Sequence, residues 1–282
     1  MGRLYLYRSC VWYVRRLRAC AVNSRECRLY TPAAVFFNSV RKHHFDAQTY
    51  IDVLPQHKLI YLCVPKAAST TIRSVLSSLE VGTPPGPALE LLYNRRCTGI
   101  RSPVLPDFLS FIDSPKAQKH YDSLFRNPYA RLLSAWSDRF QGKRLIDGKP
   151  SIEAYRAHRA TISRLLPDGP DHTLSFPEFV EFATATVDQR IDIHWQPQGD
   201  FASVPGLPLN LIGKVESFQT DFAHVLDHIG VTNEARARYL QAAVNPSSHE
   251  PWQQYYTDAL AARVYRAYER DFDKFGYPRA IK

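Results

Sequence analysis

Residues 57–64 read HKLIYLCV, an apolar run held between Pro55 and Pro65. The run does not alternate, so it fits a strand buried on both faces, as in parallel sheets. The loop PKAAST follows, and then Ile72, Val75, Leu76 and Leu79 recur at one-face helical spacing over Thr71–Leu79. GTPPGP at 82–87 ends the segment. A buried strand, a tight loop and an amphipathic helix in that order leave few folds open.

Two more units repeat the pattern. Tyr121–Phe125 is a short strand. Pro128 suits a first helical position, and Tyr129, Leu132, Leu133, Trp136 and Phe140 share a helical face up to Gly142. Leu209–Val215 is the third strand, followed by Phe218, Phe222, Val225, Leu226 and Ile229, with Gly230 as the stop. A last helix over Thr257–Phe275 buries Leu260, Val264, Tyr268 and Phe272. Repeated strand–helix units predict an α/β fold with a mostly parallel central sheet flanked by helices. Proline-rich stretches at 166–170, 203–208 and 245–251 read as surface loops within one domain.

Charge sets the domain limits. The 282 residues carry a net charge of +9. Residues 1–49 hold nine Lys or Arg against two acids, which leaves 27 basic and 25 acidic groups elsewhere. The division expected is a basic arm over 1–49 and a nearly neutral domain over 50–282, which argues against nucleic acid as the partner. The arm interleaves Arg with Tyr5, Tyr7, Trp12 and Tyr13. It reads either as a helix lying on an anionic membrane surface or as a poorly ordered extension or mis-called start. Five cysteines with no CxxC pair, and no glycosylation acceptor, read as a reduced chain. Cys63 is a core residue on this reading.

The chemistry should sit where strands end. A loop between a buried strand and a helix start offers free backbone N–H groups and the positive end of a helix dipole. Here Pro65–Thr71 adds Lys66, the hydroxyls of Ser69, Thr70 and Thr71, and the small Ala67 and Ala68. The glycines of the nucleotide triphosphatase loop are missing. The plainer alternative is a capped helix beside a solvated lysine. Arg126 ends the second strand, and Ser134 lies eight residues on. Arg offers a planar fork to a phosphate, and Ser adds a neutral donor. Arg126 is otherwise a turn residue paired with an acid such as Asp122. Two anion-ready loops on one sheet edge imply a ligand with two separated anionic groups.

These residues carry a resemblance. IYLCVPKAASTTIRSVL (60–76) looks like the 5′-phosphosulfate loop of sulfotransferases that use 3′-phosphoadenosine 5′-phosphosulfate (PAPS). FRNPYARLLSAWSDRF (125–140) is similar to their 3′-phosphate segment, with Arg126 and Ser134 on the motif positions. DIHWQPQ (192–198), LIGKVESFQTDFAHVLDHIG (211–230) and YRAYERDFDKFGY (265–277) resemble the carbohydrate branch of chondroitin and dermatan type, sulfotransferase family 2.

The resemblance implies a P-loop-like three-layer sandwich and transfer of a sulfuryl group from PAPS to a hydroxyl or amine, with a carbohydrate or glycolipid acceptor and no metal. Lys66 would neutralise the bridging oxygen. Ala67, Ala68, Ser69, Thr70 and Thr71 would hold the 5′-phosphosulfate, and Arg126 and Ser134 the 3′-phosphate. His194 is the base favoured, with His120 and Glu216 as alternatives. His194 beside Trp195 also suits a structural contact, and His120 a solvated one. Arg95, Arg96, Arg101, Arg139, Lys143 and Arg144 would attract an anionic glycan or form a solvated face. A P-loop-like nucleotide kinase or triphosphatase, and a non-enzymatic module binding anions or membrane, are the other classes open. Leu124-Phe125 departs from the family's usual Phe-Val, and the Cys pairs and membrane anchor of its Golgi enzymes are absent. These departures lead to the expectation of a bacterial-type protein, cytoplasmic or peripheral to a membrane, with the Golgi as the alternative.

Overall fold

The computed structural model describes residues 50–82, 120–141, 145–146, 149–150, 153–166, 173–203, 209–242 and 251–281. The basic arm over 1–49, the cations at 95, 96, 101, 143 and 144 and most of the proline-rich loops lie outside the described residues.

Four strands form the sheet around which these residues pack: β1 (Ile51–Leu54), β2 (Leu59–Leu62), β3 (His120–Phe125) and β6 (Leu211–Lys214). Their order is β1-β2-β3-β6. β2, β3 and β6 run parallel, with Tyr61 opposite Asp122 and Phe125 opposite Lys214. β1 pairs antiparallel with β2, Ile51 opposite Leu62. The short β4 (Leu145–Ile146) and β5 (Lys149–Pro150) form a separate pair.

β2 is buried on both faces, as its unbroken apolar run requires. Ile60, Leu62 and Val64 share one apolar cluster with Phe125, while Leu59, Tyr61 and Cys63 share the other with Leu124. On the first face lie α2 (Pro128–Arg139), α4 (Phe176–Ala185) and α7 (Asp258–Phe275). On the second lie α1 (Ser69–Val81) and α5 (Phe218–His228). Helices on both faces of a mostly parallel sheet make the expected three-layer sandwich. Two further helices, α3 (Glu153–Leu165) and α6 (Asn233–Ala242), complete the described helices.

β1 was not expected, because Asp52 interrupts its apolar pattern. That carboxylate is buried and takes a two-point hydrogen bond from Arg73 of α1, at 2.8 and 3.1 Å. The pair fastens α1 beneath the sheet edge, and α1 is thereby fixed behind the loop that precedes it.

Candidate active site at the carboxyl edge of the sheet

The parallel strands end on one edge, where the loops after β2, β3 and β6 meet. After β2 the chain turns sharply. Lys66 and Ala68 have φ of 66° and 56°, both left-handed. Ala68 is the N-cap of α1, and no side chain caps this helix. Ile72 N–H reaches the Ala68 carbonyl at 3.0 Å, so the N–H groups of Ser69, Thr70 and Thr71 precede the first intrahelical bond. All three residues are half-buried. An uncapped helix start with three hydroxyls and an adjacent ammonium suits an anion.

The loop after β3 closes on this one. Arg126 Nη1 donates to the Lys66 carbonyl at 3.3 Å. Gln198 holds the Arg126 peptide from both sides: Arg126 N–H donates to Oε1 at 2.9 Å, and Nε2 donates to the Arg126 carbonyl at 2.7 Å. Asn127 caps α2 by accepting from Tyr129 N–H at 2.9 Å, with Pro128 at the first helical position as expected. Ser134 is half-buried and sits between Arg131 and Asp138 at helical spacing.

α2 then grips the first loop. Lys66 Nζ meets Asp138 Oδ2 at 2.8 Å. Arg131 is buried and donates to three carbonyls: Pro65 at 3.0 Å, Gln196 at 2.7 Å and Ile193 at 2.9 Å. The 192–198 segment is thereby drawn against the Lys66 loop. Trp195 is the buried plug of that segment, and its carbonyl accepts from Tyr268 at 2.6 Å, at the kink of α7.

Lys66 and His194 consequently share one electrostatic environment. Burial pushes the Lys66 ammonium down from its ordinary value, Asp138 opposes this, and Arg139 and Arg126 add to it. Burial also pushes His194 down, opposed by Asp192, while Arg139 and Lys66 push it further. For Asp138, burial acts upward, but Lys66, His194 and Arg139 outweigh it and hold the carboxyl below its ordinary value. Burial depresses Arg126 against the pull of Glu216 and Tyr277.

The other base candidates sit elsewhere or are engaged. His120 begins β3, at the opposite end of the strand from Arg126, and stacks on His228 at 4.8 Å. The acid near that end, Asp122, pairs with His228 at 3.1 Å rather than with Arg126. Glu216 reaches the site edge, but Oε1 accepts from Asn127 N–H at 2.8 Å and Oε2 from the Tyr277 hydroxyl at 3.0 Å. Arg139 lies 4.0 Å from Asp192 and is mostly covered, so it is not a freely solvated charge. Asp138 lay inside the 125–140 segment without a role. Asp192 and Arg131 lay inside quoted segments without a role, and His158 carried no sequence signal.

A mostly parallel sheet whose strand-end loops bring Lys66, Arg126 and an uncapped helix start together defines an α/β protein with a cationic edge suited to anions. The chain belongs to the sulfotransferase family, whose model matches residues 49–278. It is 26% identical over 234 residues to human carbohydrate sulfotransferase 14, covering 81% of this chain and 60% of that one. The zebrafish (Danio rerio) carbohydrate sulfotransferase 14 is 25% identical over 241 residues, covering 81% and 62%. Zebrafish carbohydrate sulfotransferase 10 is 23% identical over 265 residues, covering 86% and 69%. The chain spans about three-fifths of the length of the first two relatives. No solved structure matches it.

These relatives correct the expected location. They are vertebrate carbohydrate sulfotransferases, so the bacterial-type cytoplasmic or peripheral-membrane expectation is overturned. It drew on departures from the family pattern that bear on neither the fold nor the strand-end loops. Among the described residues, no helix is long and apolar enough to cross a membrane. The kinase and non-enzymatic alternatives are not favoured by the family match.

Proposed function

We propose that this chain transfers a sulfuryl group from PAPS to a hydroxyl or amine of a carbohydrate, free or carried on a lipid. The observation that carries the reading is the contact between the two strand-end loops, where Arg126 donates to the Lys66 carbonyl. It places two cationic side chains and one uncapped helix start around a single edge, as a ligand with two anionic ends demands.

The residues fit that donor. The donor supplies an activated sulfuryl group and a phosphate leaving group. Lys66 offsets the charge that develops on the bridging oxygen. The backbone N–H groups of Ala68, Ser69, Thr70 and Thr71, with the three hydroxyls, bind the 5′-phosphosulfate, while Ala67 shapes the turn, its own N–H donating to the Val64 carbonyl at 3.2 Å. Arg126 and Ser134 bind the 3′-phosphate and so distinguish this donor from one without it. His194, biased toward its neutral form by burial, accepts the proton of the attacking acceptor group. The reading divides the chain into a basic arm over 1–49 and a catalytic domain over 50–282.

The test is calorimetric binding of 3′-phosphoadenosine 5′-phosphate, followed by transfer from radiolabelled donor to a panel of glycans and glycolipids. Binding that is weakened in Lys66→Ala and Arg126→Ala, more in the second, supports the reading. Equal binding by wild type and both variants overturns the site.

A further inference from the structure

His158 has no part in the reading above, yet it is tied to the proposed base. It lies on α3, and its Nε2 is 3.2 Å from Asp192 Oδ2. The other oxygen, Asp192 Oδ1, lies 2.7 Å from His194 Nδ1 and accepts from the His194 backbone N–H at 2.9 Å. An ionised carboxylate only accepts, so both imidazoles donate to it. His194 is therefore held with its proton on Nδ1, which leaves the Nε2 lone pair open. The His158 ring packs edge-on against Trp195 at 5.3 Å and lies 6.0 Å from Phe182, so its own orientation is constrained.

We propose that His158 is a positioning residue for sulfuryl transfer: it anchors Asp192, and Asp192 holds His194 in the tautomer whose Nε2 takes the acceptor proton. The proposal rests on the reading of His194 as the base. In the step, the acceptor oxygen forms the new bond to sulfur, the bond from sulfur to the bridging oxygen breaks, and the acceptor proton passes to Nε2. The Nδ1 proton stays on His194, shared with Asp192.

The surroundings agree with that assignment. The groups facing His194 are Asp192 from its own segment, His158 from α3, Asp138 and Arg139 from α2, and Lys66 from the loop after β2. Burial, Arg139 and Lys66 favour the neutral ring, and Asp192 opposes them. Burial acts to raise Asp192, but the hydrogen bonds from His158 and His194 outweigh it and hold the carboxyl well below the usual range. Asp192 therefore remains an acceptor and takes no proton itself. An orienting carboxylate fixed by a further donor resembles the support given to histidines in other sites.

The test uses the full chain labelled with ¹⁵N-histidine, His194 being assigned by the signal lost in His194→Gln. Wild type should show a protonated Nδ1 and a bare Nε2 on His194. His158→Phe should give a mixture of tautomers and slow sulfate release from radiolabelled PAPS, with water as acceptor, about tenfold. Its affinity for 3′-phosphoadenosine 5′-phosphate should stay within about twofold, since His158 touches none of the donor residues. His158→Gln keeps an N–H donor and should restore both the tautomer and the rate. An unchanged tautomer and rate in a folded His158→Phe chain overturn the proposal, as does a folded His158→Gln chain that restores neither. Wild type that does not bind the nucleotide overturns the sulfotransferase reading instead, a failure told apart because the tautomer measurement needs no nucleotide.

Discussion

Lys66 Nζ lies 2.8 Å from Asp138 Oδ2, which ties the lysine of the loop after β2 to the helix that follows β3. Both side chains are largely shielded, at 16% and 33% exposure, so the pair is stronger than a surface ion pair. Its direction of influence is testable. Burial lowers the Lys66 pKa, and Asp138 is the group that opposes it. Asp138→Asn removes that opposition, so Lys66 loses its proton at lower pH. The alkaline loss of affinity for 3′-phosphoadenosine 5′-phosphate should therefore move to lower pH in the variant. Calorimetry across the alkaline range checks this, and coincident curves for the two proteins would sink it.

Lys66→Ala should hit catalysis harder than binding. On the proposed reading the ammonium meets charge that grows as the donor bond breaks, and removing such a group costs about 10²- to 10³-fold in rate. Single-turnover transfer from saturating donor separates the effects. A variant slowed only at low donor concentration would make Lys66 a binding group alone.

Arg126 should act on one phosphate. The residue is half-buried, and its peptide is clamped by Gln198. Arg126→Ala should weaken 3′-phosphoadenosine 5′-phosphate about 10- to 100-fold, the range for a lost hydrogen-bonded charge pair. Adenosine 5′-phosphate, which lacks the 3′-phosphate, should bind wild type and variant alike. Equal losses for both nucleotides would place Arg126 on the other end of the ligand.

The three strand–loop–helix units were legible because each couples a short apolar strand to a one-face helix, a local pattern. β1 was hidden by Asp52, whose burial is explained only by Arg73, 21 residues away. α4 carries a readable start, Ser175 with Glu178 three residues on, and the structure closes that box. Lys66 and Arg126 were picked out by their place in strand-end loops, and the structure brings those two loops into contact. His158 was not, because its bond to Asp192 joins α3 to a turn 34 residues later. Arg131 was equally silent: its partners are carbonyl oxygens, which every residue has.

Arg131 should be a structural strut whose loss is global. It is buried at 2% exposure and satisfies three carbonyls from two segments. Arg131→Met keeps most of the volume and leaves those carbonyls unpaired, at a cost of about 3 kcal/mol. Urea unfolding should show the midpoint falling with the slope unchanged. Arg131→Lys keeps the charge without the planar fork, and should recover less than half of the loss. A Met variant within about 1 kcal/mol of wild type would show that water takes over the carbonyls.

The adjacent alanines of the loop after β2 should respond oppositely to glycine. Ala68 is left-handed at φ 56° and ψ 22°, a conformation that costs a non-glycine residue about 1–2 kcal/mol. Glycine removes that strain but frees the unfolded chain by about 0.5–1 kcal/mol, so Ala68→Gly should stabilise by about 0.5–1 kcal/mol. Ala67 is buried at 1% exposure and is not left-handed, so Ala67→Gly has no strain to relieve. It loses a packed methyl and gains unfolded-state freedom, and should destabilise by about 1–2 kcal/mol. Denaturation midpoints of the two variants check the pair. Shifts of the same sign would mean that the turn after Lys66 is not held left-handed at Ala68 in solution, and the uncapped start of α1 would then lose its geometric basis.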